Sequence, residues 1–285
     1  MAETIGNPLS WTARKIGATS KHIADATAEI GGEEGLALPR ARAITYADLS
    51  AALRAGWQDF LASRADAVAA VLIYPAAGLL LIGAAMQMDL LPLLFPLAAG
   101  FALLGPVAAV GLYEISRRRE RGEEVNWLAA FGVIRSPAFG AILVLGLYLA
   151  ALFACWMLAA YGIYAVTLGP EPPASAGAFL ADVLTTGAGW TMAILGIAVG
   201  FLFALAALVA SAVSFPLLLH RHVGVPLAVV TSARVFRTSP GPMLAWGAIV
   251  AGALVIGSIP VLLGLIIVIP VLGHATWHLY RRAVA

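Results

Sequence analysis

Charge is what this chain has least of. Of its 285 residues 11% are charged and 61% are hydrophobic, whereas roughly a quarter of the residues in soluble globular domains carry charge. That imbalance excludes a soluble fold. Cysteine is nearly absent as well: Cys155 stands alone in an apolar run, so no intrachain disulfide and no cysteine-based metal site can form. The Gly-rich phosphate loop with Lys, the Gly-x-Ser-x-Gly elbow and a paired-carboxylate site in a polar domain are all missing, and the expectation is a protein that is not an enzyme. No compact basic domain exists, which argues against nucleic acid as a partner. The N-terminal MAETIGNPLSW lacks the charged-then-apolar order of a cleaved signal.

Bases are missing in a pattern. The stretches around Asp89, Glu171 and Asp182 and the turn near Ser258 hold no Lys or Arg. All seventeen fall instead into four clusters: Arg14 to Arg64, Arg117 to Arg135, Arg221 to Arg237, and Arg281 with Arg282. Basic residues are retained on the cytoplasmic side of short loops. The clusters therefore predict a multi-pass membrane protein with both termini cytoplasmic, and a basic inner rim suited to the anionic headgroups of the lipid bilayer.

About 20 apolar residues cross a ~30 Å hydrocarbon layer, which places spans at 67–87, 91–113, 138–164, 188–219, 242–258 and 260–280. The last two could form one helix, but at 1.5 Å per residue it would be about 57 Å long, nearly twice that thickness. Gly257-Ser258-Ile259-Pro260 supplies a breaker near the middle. Pro75, Pro96, Pro106, Pro216, Pro260 and Pro270 lie in or near the ends of spans and imply kinks.

Residues 1–43 form a polar N-terminal arm ahead of a membrane domain at 44–285. In the arm Ile16, Ile23 and Ile30 recur every seven residues beside Trp11. A tail with a nascent helix and a segment that docks on a partner or the membrane are both open readings. From Ile44 to Arg64, Leu49, Ala52, Leu53, Trp57, Phe60 and Leu61 share one helical side opposite Asp48, Arg54, Gln58 and Asp59. This is an interfacial amphipathic helix with Trp57 at headgroup depth. A weak repeat follows: Phe60 to Arg64, Phe131 to Pro137 and Phe236 to Pro240 each close an amphipathic stretch and open a membrane hairpin. The fold class is thus an all-α membrane protein, six transmembrane helices as three hairpins, each preceded by a cytoplasmic interfacial amphipathic helix.

Ionisable residues inside a membrane are functional hypotheses by default. Asp66 and Glu114 sit at inner ends of spans, as local ion pairs with Arg117 or Arg118 or as part of a cation path. Four of five histidines gather at the inner surface: His220, His222, His274 and His278. His274 and His278 are spaced i, i+4 and could share a metal ion or one haem edge, with His220 reaching the same place. The competing reading is interfacial packing, with Trp277 and Tyr280 in an aromatic belt. Gly196 with Gly200, Gly247 with Ala251 and Gly252 with Ile256 allow close helix approach, within the chain or to another subunit. A short helix over 175–185 would expose Phe179, Leu180, Val183 and Leu184 on one side, to lie on the outer membrane face or to cover a partner. Candidates for lipid or partner contact are Trp11, Trp57, Phe60, Arg117, Arg118, Phe179 and Trp277.

Three stretches carry a family resemblance: Gly56-Trp57-Gln58-Asp59-Phe60, Gly105 through Arg118, and Gly273-His274-Ala275-Thr276-Trp277-His278-Leu279-Tyr280-Arg281. Over about residues 45–282 the chain resembles the bacterial integral membrane family catalogued as domain of unknown function 2189. The resemblance implies a six-span protein of a Gram-negative, alphaproteobacterial inner membrane, and it transfers no catalytic residues. Some members are labelled cytochrome oxidase subunit-like, although the paired ligands of a haem-copper core are missing here. The leading expectation is a non-catalytic accessory subunit or assembly factor of a larger, respiratory inner-membrane complex, packed against other membrane subunits and without a cofactor of its own. The alternatives are a transporter or channel for a small or lipid-like substrate, and haem or metal binding at His274 and His278.

Overall fold

A chain with long apolar runs can satisfy its backbone within hydrocarbon only as helices or a closed barrel, and the choice here is helix. The computed structural model describes residues 39–63, 71, 73–87, 90–123, 127–221 and 223–285. Helix α1 (Tyr46–Ala62) is followed by α2 (Ile73–Gln87), α3 (Leu91–Glu120), a 3-10 helix at Trp127–Arg135, α4 (Phe139–Thr167), α5 (Ala176–Thr185), α6 (Gly187–His220), α7 (Val225–Thr238), α8 (Pro240–Ser258) and α9 (Leu265–Ala283). Trp11, Asp66, Asp89 and His222, residues 1–38 of the arm, and all but residue 71 of the predicted first-span start at 67–72 lie outside the described residues.

Proline shapes the long helices where its missing N–H falls. Pro106 cannot bond the carbonyl of Ala102, and α3 tightens to a 3-10 turn at Ala102–Leu104. Pro216 likewise strips the carbonyl of Ala212, and α6 breaks between Ser211 and Ser214. At the predicted breaker α8 ends on Ser258, and Val261 and Leu262 take positive φ values of 50° and 63° before α9 begins. That region is costly for a β-branched residue.

Among the described residues four helices are long and apolar enough to cross a membrane: α3, α4, α6 and α8. They correspond to four of the six predicted spans with shifted ends; α3 runs on to Glu120 because Glu114 is neutralised by its own arginines rather than stopping the helix. Of the other two predicted spans, the described part of α2, Ile73–Gln87, carries no charged residue. Helix α9 is amphipathic, and from Leu272 onward most of its residues are buried inside the protein. A fully apolar helix would not place polar groups such as His274 there.

Close backbone approaches set the packing. A Cβ on Gly56 of α1 would lie 2.5 Å from the Ala275 nitrogen of α9, and one on Gly273 of α9 would lie 2.5 Å from Leu112 of α3. Only glycine permits these crossings. Further along, Gly200 of α6 lies against Trp156 of α4, whose ring stacks on Phe203, and Gly247 of α8 meets Leu208 of α6. Of the glycines in the three steps flagged in the sequence, Gly200 and Gly247 are thus used within the chain, while Gly196 and Gly252 have open space where a Cβ would be. Helix α5 forms as expected, capped by Ser175, with Leu180 and Leu184 exposed.

Candidate functional site

The elements that carry arginine, α1, the ends of α3 and α9, the 3-10 helix and α7, converge at one end of the helices with the end of α6 and the start of α8. Helix α1 is fixed there by a reciprocal cap, in which the Thr45 amide donates to Asp48 (2.8 Å) and the Asp48 amide to Thr45 Oγ1 (3.3 Å). Its buried face of Leu49, Ala52, Gly56 and Phe60 rests mainly on α9. The predicted apolar stripe is therefore a packing face. Phe60 is buried rather than lipid-exposed, because the Gly56 crossing draws its side of α1 onto α9; Trp57 stays 46% exposed.

Asp59 departs furthest from the sequence reading. Instead of facing water it is the hub of a polar clasp joining three elements, with its side chain 13% exposed. Oδ2 accepts from Ser116 Oγ of α3 (2.6 Å) and from His278 Nε2 of α9 (2.9 Å), and Oδ1 accepts from Arg119 Nε of α3 (3.2 Å). Ser116 has one hydroxyl proton, and the carboxylate takes it. Its oxygen is then the acceptor for Nδ1–H of His274 (2.8 Å), which defines that tautomer of the imidazole. Nε2 of His274 makes no hydrogen bond. Burial pushes the Asp59 carboxyl up, but the hydrogen bonds from His278 and Ser116 outweigh it and hold the group below the usual carboxylate range.

A second set of contacts lies on another side of α9. Trp277 Nε1 and Arg281 both donate to Glu120 of α3 (3.1 and 3.0 Å), and His220 Nδ1 pairs with the Tyr280 hydroxyl (2.8 Å), its ring edge-on to Trp277. Trp277 is fully buried (0% exposed), and Tyr280 is buried beside it. Neither is an interfacial belt residue; each has found an internal partner for its polar atom. Glu114 is held by both predicted bases, 2.7 Å from Arg117 Nε and 2.7 Å from Arg118 Nε. Phe179 sits half-buried, edge-on to Tyr164.

The three candidate metal ligands do not converge. His274 and His278 do share a face of α9, but their bonded nitrogens serve Ser116 and Asp59, and His220 meets α9 at Tyr280 and Trp277. Among the described residues no group of three or more His, Cys, Asp or Glu side chains is arranged to hold a metal ion. Ser116 has the neighbours of an activated nucleophile, yet it is 1% exposed and closed to any substrate in this conformation. What the arrangement does is lock α1, α3 and α9 to one another.

Sequence reasoning missed Asp59, Ser116 and Glu120. The signal was present in the three stretches that carried the family resemblance, because the fold brings all three to this clasp: Gly56 and Asp59 from the first, Leu112 and Ser116 from the second, and Gly273, His274 and His278 from the third. No curated protein and no solved structure matches the chain. One stretch does have a counterpart, narrower than that over which the resemblance was drawn: residues 94–220 match the model of the family described as predicted integral membrane protein, domain of unknown function 2189.

Proposed function

We propose that this protein is a non-catalytic membrane subunit or assembly factor that packs against a larger complex in a bacterial inner membrane. The carrying observation is the contrast between its two ends. The basic end is closed by buried, mutually hydrogen-bonded residues. Along the spans, by contrast, only 11% of the apolar window of α6 and 17% of that of α8 is buried. Gly196 on α6 and Gly252 on α8 are open, and Ile194, Ile197, Phe201 and Val255 are exposed. Open small residues on an apolar face are what a second membrane helix needs for close approach.

The reading includes six crossings as three hairpins, with both termini cytoplasmic. Contacts of α2 with α3, α4 with α6 and α8 with α9 agree with that pairing. A respiratory, cytochrome oxidase-like partner is the part of the proposal supported by the family resemblance alone. The test is purification through a C-terminal tag in mild detergent, followed by native mass spectrometry and a visible absorbance spectrum. Stoichiometric recovery of other membrane subunits, with haem bands for a respiratory complex, supports the proposal. A colourless, partner-free monomer refutes it and shifts the weight to transport, for which flux in liposomes is the assay.

A further inference from the structure

Beyond the clasp, the basic end holds a cavity of about 410 Å³ lined by Pro39, Arg40, Ala41, Arg234, Arg237 and Thr238. Both of its walls are fixed. On one side the chain entering α1 is stitched to the C-terminus: Arg42 N donates to the Ala283 carbonyl (2.8 Å), Ala285 N to the Arg40 carbonyl (3.0 Å), and Ala41 pairs with Val284 as an antiparallel bridge. On the other side is the last turn of α7, where Arg234, Arg237 and Thr238 share a face at i, i+3 and i+4 spacing. Ile44 N donates to Ser239 Oγ (2.9 Å) and joins the two walls.

The charges around this cavity are unbalanced. Elsewhere at this end Arg117, Arg118, Arg119 and Arg281 each face a carboxylate. Arg40, Arg234 and Arg237 are exposed, and none of them forms an ion pair with a carboxylate among the described residues. Three arginines that line one cavity gain from an anion that joins them, and their planar guanidinium forks suit phosphate oxygens.

Depth decides which phosphate. Thr238 is two residues before Pro240, where the apolar helix α8 begins, so the cavity lies at the level where that helix would enter the membrane. Leu244, about one turn further along α8, is exposed. A phosphate at the cavity with an alkyl chain running down α8 would meet both surfaces. We propose that Arg40, Arg234 and Arg237 form a binding site for a phosphate group presented by an anionic phospholipid headgroup. The inference depends on α8 entering the membrane at Pro240 and is independent of any protein partner.

The test uses the full-length protein in detergent micelles, with the melting midpoint followed as phosphatidylglycerol, phosphatidylcholine or inorganic phosphate is added. Phosphatidylglycerol is expected to raise the midpoint and phosphatidylcholine to leave it unchanged. R40Q should need about tenfold more phosphatidylglycerol for the same rise, and R234Q/R237Q about a hundredfold more, at about tenfold for each lost charge-assisted contact. R54Q, on the exposed side of α1, should respond like the wild type. A full response to inorganic phosphate alone would keep the phosphate site but overturn its lipid source. An unchanged response in R234Q/R237Q, an equal loss in R54Q, or no response to either anion would overturn the site itself.

Discussion

Replacing Asp59 by alanine should loosen the whole basic end, because one carboxylate holds donors from two helices. The hydrogen bond from Ser116, made out of contact with water, is worth roughly 1.5–3 kcal/mol as a bond to a charged group. Arg119 and His278 are 32% and 22% exposed, so water replaces part of what they lose, and each is discounted to about 0.5–1 kcal/mol. The sum is roughly 2.5–5 kcal/mol, close to the range for removing one partner of a buried charged pair. At about 2–4 °C per kcal/mol for a chain of this size, the melting midpoint should fall on the order of 10 °C. Asp59→Asn keeps one acceptor for Ser116 and should fall by less than half as much. The assay is thermal unfolding of the detergent-purified, fluorescently tagged protein read by size exclusion, with Asp182→Ala at the opposite end as control. A double-mutant cycle of Asp59→Ala with His278→Ala should return a coupling of about 1 kcal/mol. If Asp59→Ala melts within about 2 °C of the wild type, the clasp does not hold these helices together.

The same carboxylate predicts a pH dependence. Its folded pKa lies below the ordinary aspartate value, so its contribution is fully present above the unfolded value and is lost as pH falls through the folded one. Melting midpoints measured downward from pH 5 should drop more steeply for the wild type than for Asp59→Asn. Gly56→Ala should cost about 1–3 kcal/mol by forcing α1 off α9, whereas Gly83→Ala, with open space around it, should leave stability unchanged or raise it by up to about 1 kcal/mol; equal midpoints for the two would contradict the close crossing. Thr45→Ala removes the cap of α1 and should cost about 1 kcal/mol, seen as a lower midpoint and earlier proteolysis near residue 46. In a Cys155→Ser background, cysteines at Glu171 and Asp182 should react with an impermeant maleimide added to intact cells, and one at Arg54 should not; the reverse pattern would invert the proposed orientation.

The apolar runs and the clustering of arginine determined most of the architecture by themselves. Helix is the only element that satisfies a backbone in hydrocarbon here, so α3, α4, α6 and α8 follow from composition and length, and the break after Ser258 from the Gly-Ser-Ile-Pro run. The amphipathic helix α1 and the short helix α5 were equally legible, because amphipathic periods are local. Burial at the basic end was not. From periodicity alone Asp59 belongs with Asp48 and Arg54 on a wet face, and Trp277 with Tyr280 in an interfacial belt. Their fate depended on Gly56 and Gly273 letting α1 and α3 close on α9, a contact between segments more than 150 residues apart. Only that tertiary approach could turn a surface carboxylate into an internal hub, send the histidines to separate hydrogen-bond partners, and leave Arg40, Arg234 and Arg237 lining one cavity.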